Sequence, residues 1–168
     1  MKSKSIFAGL VVTILLFQVL SYGGYSSTFY AEAQSSDYLV YDDPVSSAIS
    51  LEYPSDWTFV QSEFPGLKMV TFTSPVQHPN ESPEMIALLL TILLDAPIDL
   101  FDLSQIVSQE MQTSFGLQNF KIIEEYEAVL DKTPAGKMKF SGMFEPDLSI
   151  VGTATWAIVD NRAYIFYF

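Results

Sequence analysis

Met85-Ile86-Ala87-Leu88-Leu89-Leu90-Thr91-Ile92-Leu93-Leu94 is the stretch that decides the fold: nine of its ten residues are apolar, and no polar residue recurs at every second position. A strand with one wet face alternates, whereas a run of this kind must be covered on both faces. Ten residues is about half of what a helix needs to span a bilayer, so a central strand buried between two layers is expected rather than a membrane span. Each buried side chain of this type contributes roughly 1.5–3 kcal/mol. Ordering the backbone costs about 1–2 kcal/mol per residue. The strand therefore gains net stability only where both faces are filled, and the covers must come from the rest of the chain.

The chain has 168 residues, 49% hydrophobic and 14% aromatic, enough for one packed domain plus a short appendage. Eight Lys and Arg stand against 20 Asp and Glu, a net charge of -12. That field repels phosphate backbones and anionic lipid, which argues against nucleic-acid partners and polybasic membrane docking. It keeps the protein soluble and is compatible with divalent cations or basic partners. Cysteine is absent, which removes disulfides, thiol nucleophiles, Fe–S clusters, Cys-based zinc sites and a lipoprotein's lipidated cysteine. His78 is the sole histidine, so acid–base chemistry near neutral pH has few carriers.

Residues 1–33 read as a targeting segment. Lys2 and Lys4 precede the apolar run Ile6 to Leu20, whose length falls short of a full membrane span. Ala31-Glu32-Ala33 then supplies the small-x-small cleavage pattern. The segment is either a signal peptide cut after Ala33 or an uncleaved N-terminal anchor, and residues 34–168 form the domain, outside the cytoplasm in both cases.

Short strands are expected at 38–41, 48–53, 57–60 and 67–73, divided by the turns Asp42-Asp43-Pro44, Pro54-Ser55-Asp56 and Phe64-Pro65-Gly66, which implies two hairpins. Ser74 to Glu84, with Pro75, Pro79 and Pro83, is a surface loop. It holds His78, Glu81, Glu84 and the possible N-glycosylation sequon at Asn80. After the central strand the period changes: Leu103, Ile106, Val107, Met111 and Phe115 predict one amphipathic helix, about 103–115, with Asp102 and Gln105 as a capping box and Gly116 as C-cap. Strands resume at 120–130, with Phe120, Ile122, Tyr126, Ala128 and Leu130 expected on one side and Lys121, Glu125 and Glu127 on the other. A turn at Lys132 to Gly136 carries Pro134. Met138, Phe140, Gly142 and Phe144 then alternate with Lys137, Lys139 and Ser141. A closing meander runs through 150–159, a turn at Asp160-Asn161, and 163–168. The ending Tyr164-Ile165-Phe166-Tyr167-Phe168 would be an exposed edge or lie under an uncovered face, an aggregation liability.

Tyr41, the pattern Ile49-x-Leu51-x-Tyr53-Pro54-x-x-Trp57, then Val70-x-Phe72-x-Ser74-Pro75, the strand Phe120-Lys121-Ile122-Ile123-Glu124 and the hairpin Asn161-Arg162-Ala163-Tyr164 follow one another in an order that resembles the PsbP-like group of the Mog1/PsbP fold, particularly its secreted archaeal-type members. The resemblance covers about residues 37 to 168. It implies an α+β architecture, an antiparallel sheet sandwiched between helices, with 103–115 as the first covering helix. A C-terminal amphipathic helix that would cover the other face is missing from the sequence, which leaves that face under-covered. The resemblance also implies a non-enzymatic accessory, binding or assembly module. The photosystem members of the group support calcium retention at the oxygen-evolving centre, so an extrinsic photosystem II subunit with a calcium-linked role is the first alternative, although no feature here ties the chain to a photosystem.

Three chemistries remain to weigh. A hydrolase would need His78, which lies between Gln77 and Pro79 with no Gly-x-Ser-x-Gly elbow in the chain, and the glycine loop that cradles phosphate is absent. Metal binding has weak candidates in His78, Glu81 and Glu84, in Asp95, Asp99 and Asp102, and in Asp42-Asp43, all hard ligands suited to calcium or manganese but none at the spacing of a calcium loop. Tyr53, Trp57, Tyr164, Tyr167 and Phe168 either pack the core or line a ligand groove. The expected protein is thus a non-enzyme without cofactor, calcium being the one ion considered. Its expected partner is a membrane-associated or cell-surface protein, and it touches the membrane only through the N-terminal segment.

Overall fold

The computed structural model describes residues 37–43, 49–76, 85–145 and 148–168. The 1–33 segment with Ala31 and Ala33, and the loop residues His78, Asn80, Glu81 and Glu84, lie outside the described residues. No helix among the described residues is long and apolar enough to cross a membrane.

Nine strands and one helix are described: β1 (Tyr38–Asp42), β2 (Ser50–Pro54), β3 (Thr58–Phe64), β4 (Leu67–Thr73), β5 (Ile86–Leu93), α1 (Leu100–Thr113), β6 (Gln118–Leu130), β7 (Thr133–Glu145), β8 (Leu148–Val159) and β9 (Arg162–Tyr167). β3 to β9 form one seven-stranded sheet in the order β3-β4-β5-β9-β8-β7-β6, every pair antiparallel, while β1 and β2 make a separate hairpin. As the unbroken apolar run demands, β5 lies inside the sheet between β4 and β9, and Ala87 to Thr91 are buried on both faces.

The covers are unlike each other. On one face α1 sets Leu103, Val107 and Met111 over Leu88, Leu90, Met138, Trp156 and Ile165. On the other, the β1–β2 hairpin sets Tyr41 and Tyr53 over Val70, Phe72, Ala87 and Leu89. The architecture is therefore a β-rich sheet with a single described helix rather than a helix-flanked sandwich, because a hairpin rather than a second helix covers that face. The hairpin reaches only part of it. Along the cross-strand row Gln61-Val70-Leu89-Phe166-Thr155-Lys137-Tyr126, apolar side chains under the hairpin give way to polar ones beyond it. Farther out Tyr126, Lys139 and Val151 are exposed.

Four expectations are corrected. The helix starts earlier than 103: Asp99, not Asp102, is its N-cap and accepts from the Asp102 N–H at 2.8 Å. It also ends earlier than 115, at Thr113 with Ser114 as its C-cap, and Gly116, at φ 65, lies two residues past that cap, where the Leu117 N–H donates to the Met111 carbonyl at 3.2 Å. The β6 side chains do not keep one alternation, because a register shift between Ile122 and Glu124 places Ile122 opposite Phe140 but Tyr126 opposite Lys137, on the other face. The turn before β7 is Asp131-Lys132, both at positive φ. Pro134 lies within β7, one residue outside the β7–β8 ladder that begins at Ala135, where its missing N–H leaves no gap on the β8 side. Finally, the aromatic ending is no edge, since β9 runs between β5 and β8.

Trp156 shows how closely the helical cover fits. Its indole N–H donates to the Leu100 carbonyl at 3.2 Å, and its ring lies over Gly136, where an added Cβ would stand 2.3 Å from Cε2. Gly136→Ala is expected to cost about 1–3 kcal/mol by overpacking. Gly142→Ala, whose Cβ would meet Leu117 only at 3.3 Å, is expected to cost less. Urea unfolding of the two variants checks the order.

Candidate functional site

Beneath the hairpin lies an aromatic cluster. Tyr41 meets Phe59 and Phe72 edge-on at centroid distances of 5.5 and 5.7 Å, and Tyr53 packs on Phe72 at 5.1 Å. The alternation of β2 directs Leu51 and Tyr53 inward, and Pro54 ends the strand so that Trp57 returns against the sheet. At the margin of this cluster a groove of about 300 Å³ opens between the hairpin and the sheet, with Tyr53, Trp57, Phe72, Ala87, Phe166 and Phe168 in its wall. Its wall is almost wholly apolar, with Glu52 as the one charged residue among those lining it. Trp57 stacks on Phe168 at 6.5 Å and 23°. Phe168 is held by two backbone bonds to Thr153, of 2.6 and 2.9 Å.

A buried ion pair fastens the hairpin to the sheet. Asp43, just past β1, and Lys68, in β4, are 4% and 7% exposed and in direct contact, and the Lys68 ammonium stands 5.6 Å from the centroid of the Tyr41 ring. Tyr41 donates to Gln61 Oε1 at 3.4 Å, and Gln61 donates to Glu63 at 2.8 Å. Burial works to lower the Lys68 pKa, but hydrogen bonds to Asp43 and Tyr41 outweigh it and hold the lysine above its usual 10.5. Burial raises the Tyr41 and Tyr53 hydroxyls.

Of the aromatic residues singled out from sequence, Tyr53, Trp57 and Phe168 line the groove. Tyr164 is buried on the same face of the sheet but is not among the lining residues. Tyr167 points the other way, into the core under α1, 5.3 Å from Phe115. Its hydroxyl has no hydrogen-bond partner among the described residues, and burial, with Glu110 adding to it, pushes its pKa far up. The strand parity of β9 could have separated these, since Ala163, Ile165 and Tyr167 alternate with Tyr164, Phe166 and Phe168. Of the motif residues, Phe72 is in the wall and Pro75 follows β4. Asp99 is engaged in capping α1, and no group of three potential ligands that could hold a metal occurs among the described residues, Asp95 and Asp102 included. The Asp43–Lys68 pair was not foreseen: the acid looked like a turn residue, and 25 positions separate it from its partner.

No family model matches the chain, and no curated protein matches it. Among solved structures it superposes on the cyanobacterial PsbP protein CyanoP of Synechocystis sp. PCC 6803 with a TM-score of 0.61, over 82% of each chain at 14% identity. The fold is PsbP-like. A protein of unknown function from Pseudomonas aeruginosa, PA94, described as a putative regulator, matches at a TM-score of 0.40 and 15% identity over 79% of this chain and 81% of that one. The PsbP-like likeness here is one of fold, carried at low identity.

Because the Lys68 pKa is raised by folding, the stability it confers is complete below its ordinary value and is lost as pH climbs through the folded value. The raised tyrosines act in the same direction, since the unfolded chain loses their protons first. The urea midpoint is expected to fall steeply above about pH 10. Lys68→Met, which strands Asp43 without its cation, is expected to cost about 3–5 kcal/mol at pH 7 and to flatten part of that alkaline slope. An unchanged slope in the variant would reject the assignment.

Proposed function

We infer that the chain is a non-enzymatic PsbP-like module that works outside the cytoplasm, delivered by the 1–33 segment, and that it holds an apolar or aromatic side chain of a membrane-associated or cell-surface partner in the groove under the hairpin. The groove carries this reading. Concave apolar surface rimmed by rings, with few polar groups, is the usual form of a recognition site, and aromatic rings in such a setting dominate contact energy. The PsbP-like fold supports an accessory rather than a catalytic role, and the targeting pattern at 1–33 supports export.

The neutral fluorophore N-phenyl-1-naphthylamine tests the groove, since Trp57 lies in its wall while Trp156 is buried on the opposite face of the sheet. Energy transfer from tryptophan to the bound probe is expected in the native chain and reduced in Trp57→Phe, the remainder coming from Trp156. Phe168→Ala is expected to weaken the probe by about tenfold. Transfer that survives Trp57→Phe at full strength would place the probe elsewhere and sink the groove reading.

Export is tested separately by fusing residues 1–33 to a β-lactamase that protects cells only from outside the cytoplasm. Resistance is expected, and its absence would remove the extracytoplasmic assignment without touching the groove.

A further inference from the structure

β6 is the far edge of the sheet, six strands from β3, and it is built differently from that other edge. β3 is short and mostly half-buried, next to the hairpin cover. β6 has 13 residues and is exposed almost throughout, with Ile123, Tyr126, Val129 and Leu130 at 49%, 48%, 71% and 47%. Among the described residues no strand pairs with its outer side. An edge of this length presents a row of N–H and C=O groups able to template another strand, and proteins ordinarily blunt such edges. Here the bulges that twist an edge away are confined to the first half: both register shifts lie before Glu124, and from Glu124 to Leu130 the pairing with β7 is continuous, leaving its glutamates as the guard. Seven residues of regular edge is a full strand's length.

The side chains of that segment sort by face. Glu125, Glu127 and Val129 lie opposite Met138, Gly136 and Pro134, on the side that carries α1, while Glu124, Tyr126, Ala128 and Leu130 lie opposite Lys139, Lys137, Ala135 and Thr133, on the other. Glu124 has Lys139 across from it, but Glu125 and Glu127 have no cation opposite, and neither is in an ion pair among the described residues. A strand added to this edge would place alternate residues beside the two glutamates and the rest beside the apolar trio. A second copy of the same edge would set acid against acid in a chain of net charge -12.

We propose that the outer edge of β6 over Glu124–Leu130 is a strand-addition site for an extended segment of another protein in which basic and apolar residues alternate. The backbone ladder supplies affinity, and the two faces of β6 supply register and selectivity. The site is remote from the aromatic groove and does not depend on it.

The test is fluorescence anisotropy of the intact chain with a labelled Lys-Val alternating octapeptide, a Glu-Val counterpart, and a Lys-Val peptide N-methylated at every residue, so that neither of its edges can donate. The N-methylated peptide keeps charge and side chains but cannot complete the ladder. Binding of the Lys-Val peptide is expected, with at least about tenfold loss on N-methylation or on exchange of lysine for glutamate. Glu125→Lys with Glu127→Lys, both at exposed positions, is expected to reverse the preference between the two charged peptides. Trp57→Phe is expected to leave all of this unchanged. Amide exchange over 124–130 is expected to slow when the Lys-Val peptide binds. Equal binding of the N-methylated peptide would show simple charge attraction and overturn the proposal. So would a charge-reversed variant with unaltered preference, absence of binding, or self-association of the chain through this edge.

Discussion

Burial of Ala87 to Thr91 from both sides is the constraint on which the rest of the structure depends. A strand with Leu88 and Leu90 on one face and Ala87 and Leu89 on the other cannot tolerate water on either. The chain meets the requirement with two different devices. α1 supplies one apolar stripe, which is what a helix of this length offers. The hairpin supplies rings, and because β1 and β2 are only five residues each, the two tyrosines Tyr41 and Tyr53 do most of the covering. Large planar side chains let a small element shield a wide patch. The same economy leaves a margin, and the groove is that margin: it forms where hairpin, sheet and Phe168 meet without closing.

Holding a two-stranded hairpin in place takes more than its own ladder, since isolated hairpins are marginal in water. The Asp43–Lys68 pair supplies a directional tie at the end of β1, while the aromatic cluster supplies the apolar one. Burying the two charges costs desolvation that their attraction roughly repays. The pair therefore contributes position more than net stability: it fixes which end of the hairpin is clamped and leaves the Tyr53–Trp57 end as the wall of the groove.

What was legible in the sequence followed from local periodicity. The Met85–Leu94 run, the stripe on α1 and the alternation of Met138 and Phe140 with Lys137 and Lys139 each carry their environment within a few residues. For Tyr53 and Trp57 the sequence leaves core packing and a groove open, and the structure has them do both, buried in the aromatic cluster and lining the groove at its margin. What was not legible depended on distant pairing. The role of the hairpin as a cover depends on where β1 falls relative to β4, and Lys68 gives no sign of Asp43. The bulge before Glu124 reverses the faces of β6, and no residue type there announces it. Tyr167 was grouped with Tyr164 and Phe168 on chemistry, when parity along β9 put it on the other side.

The distribution of exposure across the sheet follows from where the covers stop. Along the row Ser62-Met69-Leu90-Ile165-Trp156-Gly136-Glu127, the residues at the centre are under α1, and the row ends in an exposed carboxylate at β6. On the other face the row through Leu89 and Phe166 passes from the hairpin into Thr155, Lys137 and Tyr126. At the start of β6 Phe120 still packs against the core under α1, but from Glu124 on the strand is left with backbone on one side and mixed, mostly exposed side chains above and below. Glutamates at 124, 125 and 127 keep such an edge from pairing with its own kind, because self-pairing would need like charges to be buried together. Between this edge and the groove lie β7, β8 and β9, paired along their shared lengths by continuous antiparallel ladders with only one irregularity, near Met143. The intervening ladders thus set the two surfaces apart by three strands of one continuous sheet.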